Sequence, residues 1–189
     1  MSSLPAFEET PETNRGRVLY GMLLAVHASI RSDLASVERL AAAVVDGLSA
    51  DGLEQELDAL RSNGMLWQFQ LSCLRYCRFV HSHHHAEDTL FFDELEETNP
   101  AIGPVVERLR ADHRAVSDYL DTVEAAARAL TKDDRIDARR AVADALRALN
   151  KHLLAHLDYE ERNVAATARR LRDLPSPPTS PDVADTDVL

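Results

Sequence analysis

Cysteine is almost missing from this chain, which carries two in 189 residues. Cys73 and Cys77 stand four apart in one helix-forming stretch, a poor arrangement for a disulfide and not the two-residue spacing of a redox pair. They read as two small buried hydrophobes, and a cysteine-held iron–sulfur cluster is set aside. Long apolar runs are missing too. Nothing approaches the roughly 20 residues that span a bilayer, and no basic segment followed by an apolar one opens the chain. The expectation is a soluble cytoplasmic protein with no membrane partner. Basic residues are in deficit, 21 against 32 acidic for a net charge of −11, which argues against nucleic acid or anionic lipid as a partner. Glu8, Glu9 and Glu12 at one end and Asp182, Asp185 and Asp187 at the other hold six of those charges, so residues 15–174 carry only −5. A glycine-rich phosphate loop is also absent, so nothing marks a bound flavin or nucleotide.

What is present is helix. All eight prolines lie at positions 5, 11, 100, 104, 175, 177, 178 and 181, leaving 12–99 and 105–174 free of the residue that breaks helix interiors. Ala, Leu, Arg and Glu dominate and alternating β-branched runs are few, so an all-α chain is expected. Its length and its 45% hydrophobic content suit one domain. Helical spacing predicts four long helices, from about Arg15 to Asp46, Met65 to Glu97, Pro104 to Leu130, and from the polar turn at Lys132–Asp137 to near Asp173. Gly47 and Gly52 punctuate the first exit. Asp51 with Glu54 resembles a capping box, predicting an extra short helix to about Ser62 that Gly64 stops. The expected architecture is a left-handed, up-down-up-down four-helix bundle over 15–174. An acidic tail over 1–14 and a Pro/Asp-rich tail over 175–189 are expected to be disordered.

Apolar stripes at helical spacing run through Tyr20, Leu23, Ile30, Leu34 and Ala41, through Leu109, Val116, Leu120, Val123 and Ala127, and through Val142, Leu149, Leu153, Val164 and Leu171. Each long helix carries a histidine in its stripe: His27, His83, His113 and His156. Two of them have a glutamate one turn later, Glu87 and Glu160, on the same helix face. On a single stripe a histidine is more often a satisfied core residue than a ligand; the joint pattern reverses those odds. Imidazole and carboxylate donors meeting inside a bundle suit Fe, Mn or Zn, and two glutamates from different helices suggest two ions. Within the run His83, His84, His85, helical phase does not separate His83 paired with Glu87 from His84 paired with Asp88, and the longer reach of glutamate favours the former. His81 and His85 are expected on flanking faces. His152, Asp88, Asp112 and Glu161 are candidates to orient the imidazoles from outside, with solvated helix charges as the alternative for the acids. Phe91, Phe92, Leu90, Phe69 and Trp67 are expected in the core, and Tyr20, Tyr76 and Tyr159 as buried tyrosines with ordinary partners.

The segments His83-His84-His85-Ala86-Glu87-Asp88 and His152-Leu153-Leu154-Ala155-His156-Leu157-Asp158-Tyr159-Glu160-Glu161, with His27-Ala28-Ser29-Ile30-Arg31 and Asp112-His113, resemble the hemerythrin-like, or HHE cation-binding, domains over about residues 15–174. The resemblance implies an oxygen-bridged, non-haem di-iron centre that meets dioxygen, peroxide or nitric oxide, held here by His27, His83, Glu87, His113, His156 and Glu160. Oxygen-carrying members have a second histidine one turn along the third helix, where this chain has Ser117, and use aspartate at a five-residue spacing in the fourth, where it has Glu160 at four. The missing ligand leaves one iron short, to be filled by water, by His84 or Tyr76, or by substrate. The expected function is therefore a redox enzyme of peroxide-consuming, nitric-oxide-reducing or oxidase type, drawing on a reduced cofactor as electron donor. The alternatives are an oxygen or iron sensor or store without turnover, and a structural zinc site.

Overall fold

Four apolar stripes at helical spacing have to be covered at once, and the chain covers them by turning each inward. A computed structural model of the protein describes residues 7, 10–46, 55–130, 132 and 135–172, without the side chains of 40, 43–46 and 55–70. Among the described residues every regular element is helical: α1 (Asn14–Asp46), α2 (Gln55–Ala86), a π-helical turn (Glu87–Phe91) leading straight into α3 (Phe92–Thr98), a 3₁₀ turn (Pro100–Ile102), α4 (Gly103–Leu130) and α5 (Ile136–Ala168).

Pairs of touching residues fix the topology. Between α1 and α5 the partners run from Thr13 with Leu171, through His27 with Glu161, to Glu38 with Asn150. Between α2 and α4 they run from Cys77 with Leu120 to Asp88 with Arg110. Numbers rise on one helix as they fall on its neighbour, so adjacent helices are antiparallel. α1 packs on α2 and α5, and α4 packs on α2 and α5, which gives the expected up-down-up-down bundle.

The stripes named from sequence are buried: Tyr20, Leu23, Ile30 and Leu34 of α1, Leu109, Val116, Leu120 and Val123 of α4, Val142, Leu149, Leu153 and Val164 of α5. They form two separate apolar blocks. One gathers Ile30, Leu34, Val80, Val116, Leu120 and Leu153; the other gathers Tyr20, Leu23, Phe92, Leu109, Val164 and Leu171. The four stripe histidines fall between them on every helix. Cys73 and Cys77 are free and buried in the first block, and burial pushes the Cys77 thiol up to about 12.

The second half of the bundle is stitched by its ends. Thr13 caps α1, its Oγ1 accepting from Gly16 N–H at 2.8 Å while donating to the Leu171 carbonyl at 2.5 Å. The Arg15 guanidinium holds both oxygens of Glu94, at 2.6 and 2.9 Å, and the Arg172 carbonyl at 2.9 Å. Within the segment expected as a disordered acidic tail, Arg170 Nε donates to the Thr10 carbonyl at 2.7 Å and its guanidinium lies over the Phe7 ring. Asn99 closes the other corner by capping the Pro100 turn and donating to Thr167 Oγ1 at 3.1 Å.

Three details depart from expectation. The separate short helix ahead of Gly64 is instead the opening of α2, which runs unbroken from Gln55 to Ala86; an interior glycine costs only about 1 kcal/mol, too little to end a helix of this length. The helix expected to run smoothly to Glu97 contains the π-helical turn. Leu90, expected in the core, is 70% exposed because that turn carries it outward, whereas Phe92 is fully buried. The Asp51–Glu54 capping box, Gly47, Gly52 and the segment 175–189 lie outside the described residues, and so do the side chains of Trp67 and Phe69.

Two glycines of α1 give a paired test. A Cβ on Gly16 would overlap the backbone of Ala168 and Arg169, whereas one on Gly21 meets nothing within 4 Å. Gly21→Ala is expected to stabilise by up to about 1 kcal/mol through helix propensity, and Gly16→Ala to destabilise by about 1–3 kcal/mol through overpacking. Thermal unfolding of the two variants beside the parent protein reads both signs.

Candidate metal centre

Each bundle helix delivers its donors at the level between the two apolar blocks: α1 gives His27, α2 His83 and His84, the π-helical turn Glu87, α4 His113, and α5 His156 and Glu160. All are buried except His83, which is nearly so. They form three overlapping groups: His27, His83 and Glu87; His84, His113 and His156; and Glu87, His113 and Glu160. In each group one ligand atom per residue lies within 4.8 Å of the others. His27 Nε2 is 3.0 Å from His83 Nε2 and 3.4 Å from Glu160 Oε2. Glu87 spans the layer, with Oε1 3.1 Å from His83 Nε2 and Oε2 3.5 Å from His113 Nε2. His156 Nε2 is 3.7 Å from Glu160 Oε2.

Both His83 and His84 reach the layer. Successive positions on α2 lie about 100° apart, so His83 turns toward α1 and meets His27, while His84 turns toward α4 and α5. The His84 ring stacks on His113 at 4.0 Å and 10°, and meets His156 edge-on at 5.1 Å. Tyr76 packs in the first apolar block, its hydroxyl buried without a partner. His152 belongs to none of the donor groups. It is exposed, and its Nε2 shares a 2.8 Å hydrogen bond with the Tyr119 hydroxyl. His81 lies toward Asp121 and His85 is exposed, both on flanking faces as expected. Tyr20 donates to the Glu161 carbonyl at 3.0 Å.

Two carboxylates fix imidazoles from outside. Glu161 Oε1 accepts from His27 Nδ1 at 2.9 Å and Asp88 Oδ1 from His113 Nδ1 at 3.0 Å. A proton held on Nδ1 leaves the Nε2 lone pair facing inward, the tautomer a metal ligand needs. An arginine stands beside each carboxylate: Arg31 donates to Glu161 Oε1 at 2.7 Å, and Arg110 donates to the Asp88 backbone carbonyl at 2.6 Å with Nη1 3.8 Å from Oδ1. Asp112 stands 3.9 Å from His156 Nδ1, too far for a hydrogen bond. Arg110, one turn before His113, carried no sequence signal on its own.

Burial sets the protonation of this layer. It pulls His83 down to about 3, aided by His27 and His156, and His156 down to about 4, aided by His27. It lowers His27 against the opposing pull of Glu161, and lowers His84 and His113. Burial raises both carboxyls, Glu87 with Glu160 and Asp88 adding to it, and Glu160 with Glu161 and Asp88. In the metal-free protein burial thus favours neutral imidazoles and protonated carboxyls. Even so, both oxygens of Glu87 and of Glu160, both nitrogens of His156, and Nε2 of His84 and of His113 have no hydrogen-bond partner. Each such orphan costs about 1–3 kcal/mol, and a cation is the one partner that would serve them together. The residues fit a metal.

A cleft of about 180 Å³ between α4 and α5, lined by Arg108, Asp112, Ala115, His152 and Ala155, reaches the outer edge of His156. Two larger surface cavities, of about 430 and 450 Å³, are lined by no donor residue.

The family model described as Hemerythrin HHE cation binding domain matches residues 18–168, a span that contains every donor named above. No curated protein and no solved structure matches the chain.

The metal-free protein is expected to be most stable at mildly acidic pH. Raised carboxyl pKa values stabilise fully below the ordinary value of 4.5, and that contribution is lost as pH climbs toward and beyond neutrality. Lowered histidine values act oppositely: the unfolded chain takes up protons first, so stability falls as pH drops below 6.5. Denaturant unfolding of chelator-treated protein across pH should trace this dome, and Glu160→Gln should flatten its alkaline side.

Proposed function

We propose that this chain, which belongs to the hemerythrin HHE cation-binding domain family, holds two irons and is a redox enzyme acting on dioxygen, hydrogen peroxide or nitric oxide. The observation that carries this reading is the pair of three-donor groups, His27 with His83 and Glu87, and His84 with His113 and His156, joined by a third in which Glu87 and His113 recur with Glu160. A single ion would need one such group; two, sharing nitrogen and carboxylate donors without thiolate, suit a dinuclear iron site.

His27, His83, Glu87, His113, His156 and Glu160 would hold the metals, with His84 as a seventh donor. When bound, the pair would supply two-electron exchange with a small oxygen or nitrogen species. The protein's own part is positional. Glu161 and Asp88 hold the Nδ1 protons of His27 and His113 outward. Glu87 and Glu160, protonated in the metal-free protein, give up those protons as they take a cation. The apolar blocks on either side, with Phe92 stacked on His113 at 5.3 Å, keep bulk water from the layer. The cleft above His156, lined by Arg108, Asp112 and His152, gives a small polar substrate an approach, which favours turnover of peroxide-like molecules. An external reduced cofactor would act as electron donor.

One observation favours the second reading, reversible binding of oxygen or iron by a sensor or store. His84 brings a fifth imidazole to the layer, in a chain that has Ser117 where oxygen-carrying members have their further histidine. Zinc in place of iron would make the site structural.

Metal analysis with an absorption spectrum before and after dithionite, then peroxide, separates these outcomes. About two irons per chain, bands that bleach on reduction, and sustained peroxide, nitric oxide or dioxygen consumption are expected. A stable oxygenated spectrum without turnover would favour the carrier-like reading, and a colourless zinc protein even after anaerobic iron reconstitution would overturn the iron chemistry. Single replacement of His27, His113 or Glu160 by Ala is expected to lower metal affinity at least about tenfold, whereas His81→Ala and His85→Ala should keep full metal content.

A further inference from the structure

Arg110 of α4 lies outside the donor groups and touches Asp88, Asp93 and Phe92, two of which, Asp88 and Phe92, contact His113. Its Nη1 donates to the Asp88 carbonyl at 2.6 Å and lies 3.8 Å from Asp88 Oδ1. Its Nη2 donates to Asp93 Oδ1 at 2.8 Å. Its guanidinium carbon stands 5.5 Å from the centroid of the Phe92 ring, which stacks in turn on the His113 imidazole.

Asp88 and Asp93 are five residues apart. On an α-helix, at about 100° per residue, such a pair points about 140° apart, and no single guanidinium on a neighbouring helix would hold both. They come together because a π-helical turn closed by the Phe92 N–H on the Glu87 carbonyl takes in one extra residue. The buried positions show the same slip: Val80, His84, Glu87, Phe92 and Leu95 follow helical intervals except for the five-residue step from Glu87 to Phe92.

We propose that Arg110 is a positioning residue, a latch that holds the π-helical turn in register and so aims the Asp88 carboxylate at His113 Nδ1. Relaxation of the turn to α geometry would rotate Phe92, Asp93 and the rest of α3 by about 100° relative to α2, taking Phe92 off His113 and Asp93 off Arg110. π-helical turns are short and rare, so this one depends on an external clamp. The planar fork of arginine holds two acceptors in fixed directions, which the compact ammonium of lysine on its flexible stem does not. Arg31 plays no such part, since it braces Glu161 and Asp158 of α5, three residues apart on an ordinary helix.

The test reads the His113 Nδ1–H directly by proton–nitrogen NMR of metal-free, histidine-labelled protein, where a hydrogen-bonded imidazole proton gives a downfield, slowly exchanging resonance. Arg110→Met is expected to abolish that resonance or speed its exchange at least about tenfold, and to speed iron release to a chelator by about 10–100-fold. Asp93→Asn weakens only the outer arm, leaving a neutral acceptor where the carboxylate stood, touches no donor, and should move both readouts in the same direction by about threefold. Arg110→Lys, which keeps the charge, should fail to restore the resonance. An unchanged resonance together with iron release within about twofold of the parent in Arg110→Met and Asp93→Asn would overturn the latch. The iron readout rests on the proposed metal centre, and the resonance does not: a parent protein that takes no metal but loses the resonance in Arg110→Met would sink the function and leave the latch standing.

Discussion

The bundle is built around a layer of ionisable side chains that water does not reach and that the layer's own hydrogen bonds do not satisfy. Taking a carboxylate out of water costs several kcal/mol even after relaxation, and two of them sit here with their oxygens unpartnered. Neutral imidazoles cannot repair this, because most of their inward nitrogens are orphans as well. An ordinary core would replace the layer with leucine. That the sequence keeps it, flanked by apolar blocks that fit together without it, is the physical counterpart of cation binding in the family to which the chain belongs.

Around that layer polarity is graded outward. Donors lie innermost, the carboxylates Glu161 and Asp88 stand behind two of them, and Arg31 and Arg110 stand behind the carboxylates with side chains 31% and 30% exposed. At such exposure an ion pair contributes little to stability. The geometry is one of orientation: Arg31 grips the Glu161 carboxylate, Arg110 grips the backbone of Asp88, and each imidazole behind them presents its other nitrogen inward.

Much of this was legible in the sequence, because burial on a helix repeats every three or four residues. The stripes through Leu109 to Ala127 and Val142 to Val164 named their buried faces correctly, and one histidine per stripe marked the level at which the helices would converge. Proline spacing placed the break at Asn99 and Pro100 and the start of α4. What escaped was whatever broke the repeat. The five-residue step from Glu87 to Phe92 was written in the chain, but a uniform helical phase averaged it away and put Leu90 inside. The same averaging made His83 and His84 look like rivals, when neighbouring positions on one helix were feeding two sides of the layer. Gly64 was given a stop signal's meaning although its penalty is small beside the cooperativity of a long helix. His152 sat one turn from His156, close in sequence yet turned outward to Tyr119, a distinction that only packing makes.

The stitching of the first helix to the last has a temporal side. Thr13 and Arg15 find their partners at Leu171 and Arg172, 158 and 157 residues later, and α5 alone brings His156, Glu160 and the Glu161 that orients His27. A chain emerging vectorially from the ribosome at about 5–20 residues per second therefore exposes the apolar faces of α1, α2 and α4 until α5 is out. The donor layer stays incomplete for the same interval, because two of its seven side chains, His156 and Glu160, come from α5 alone.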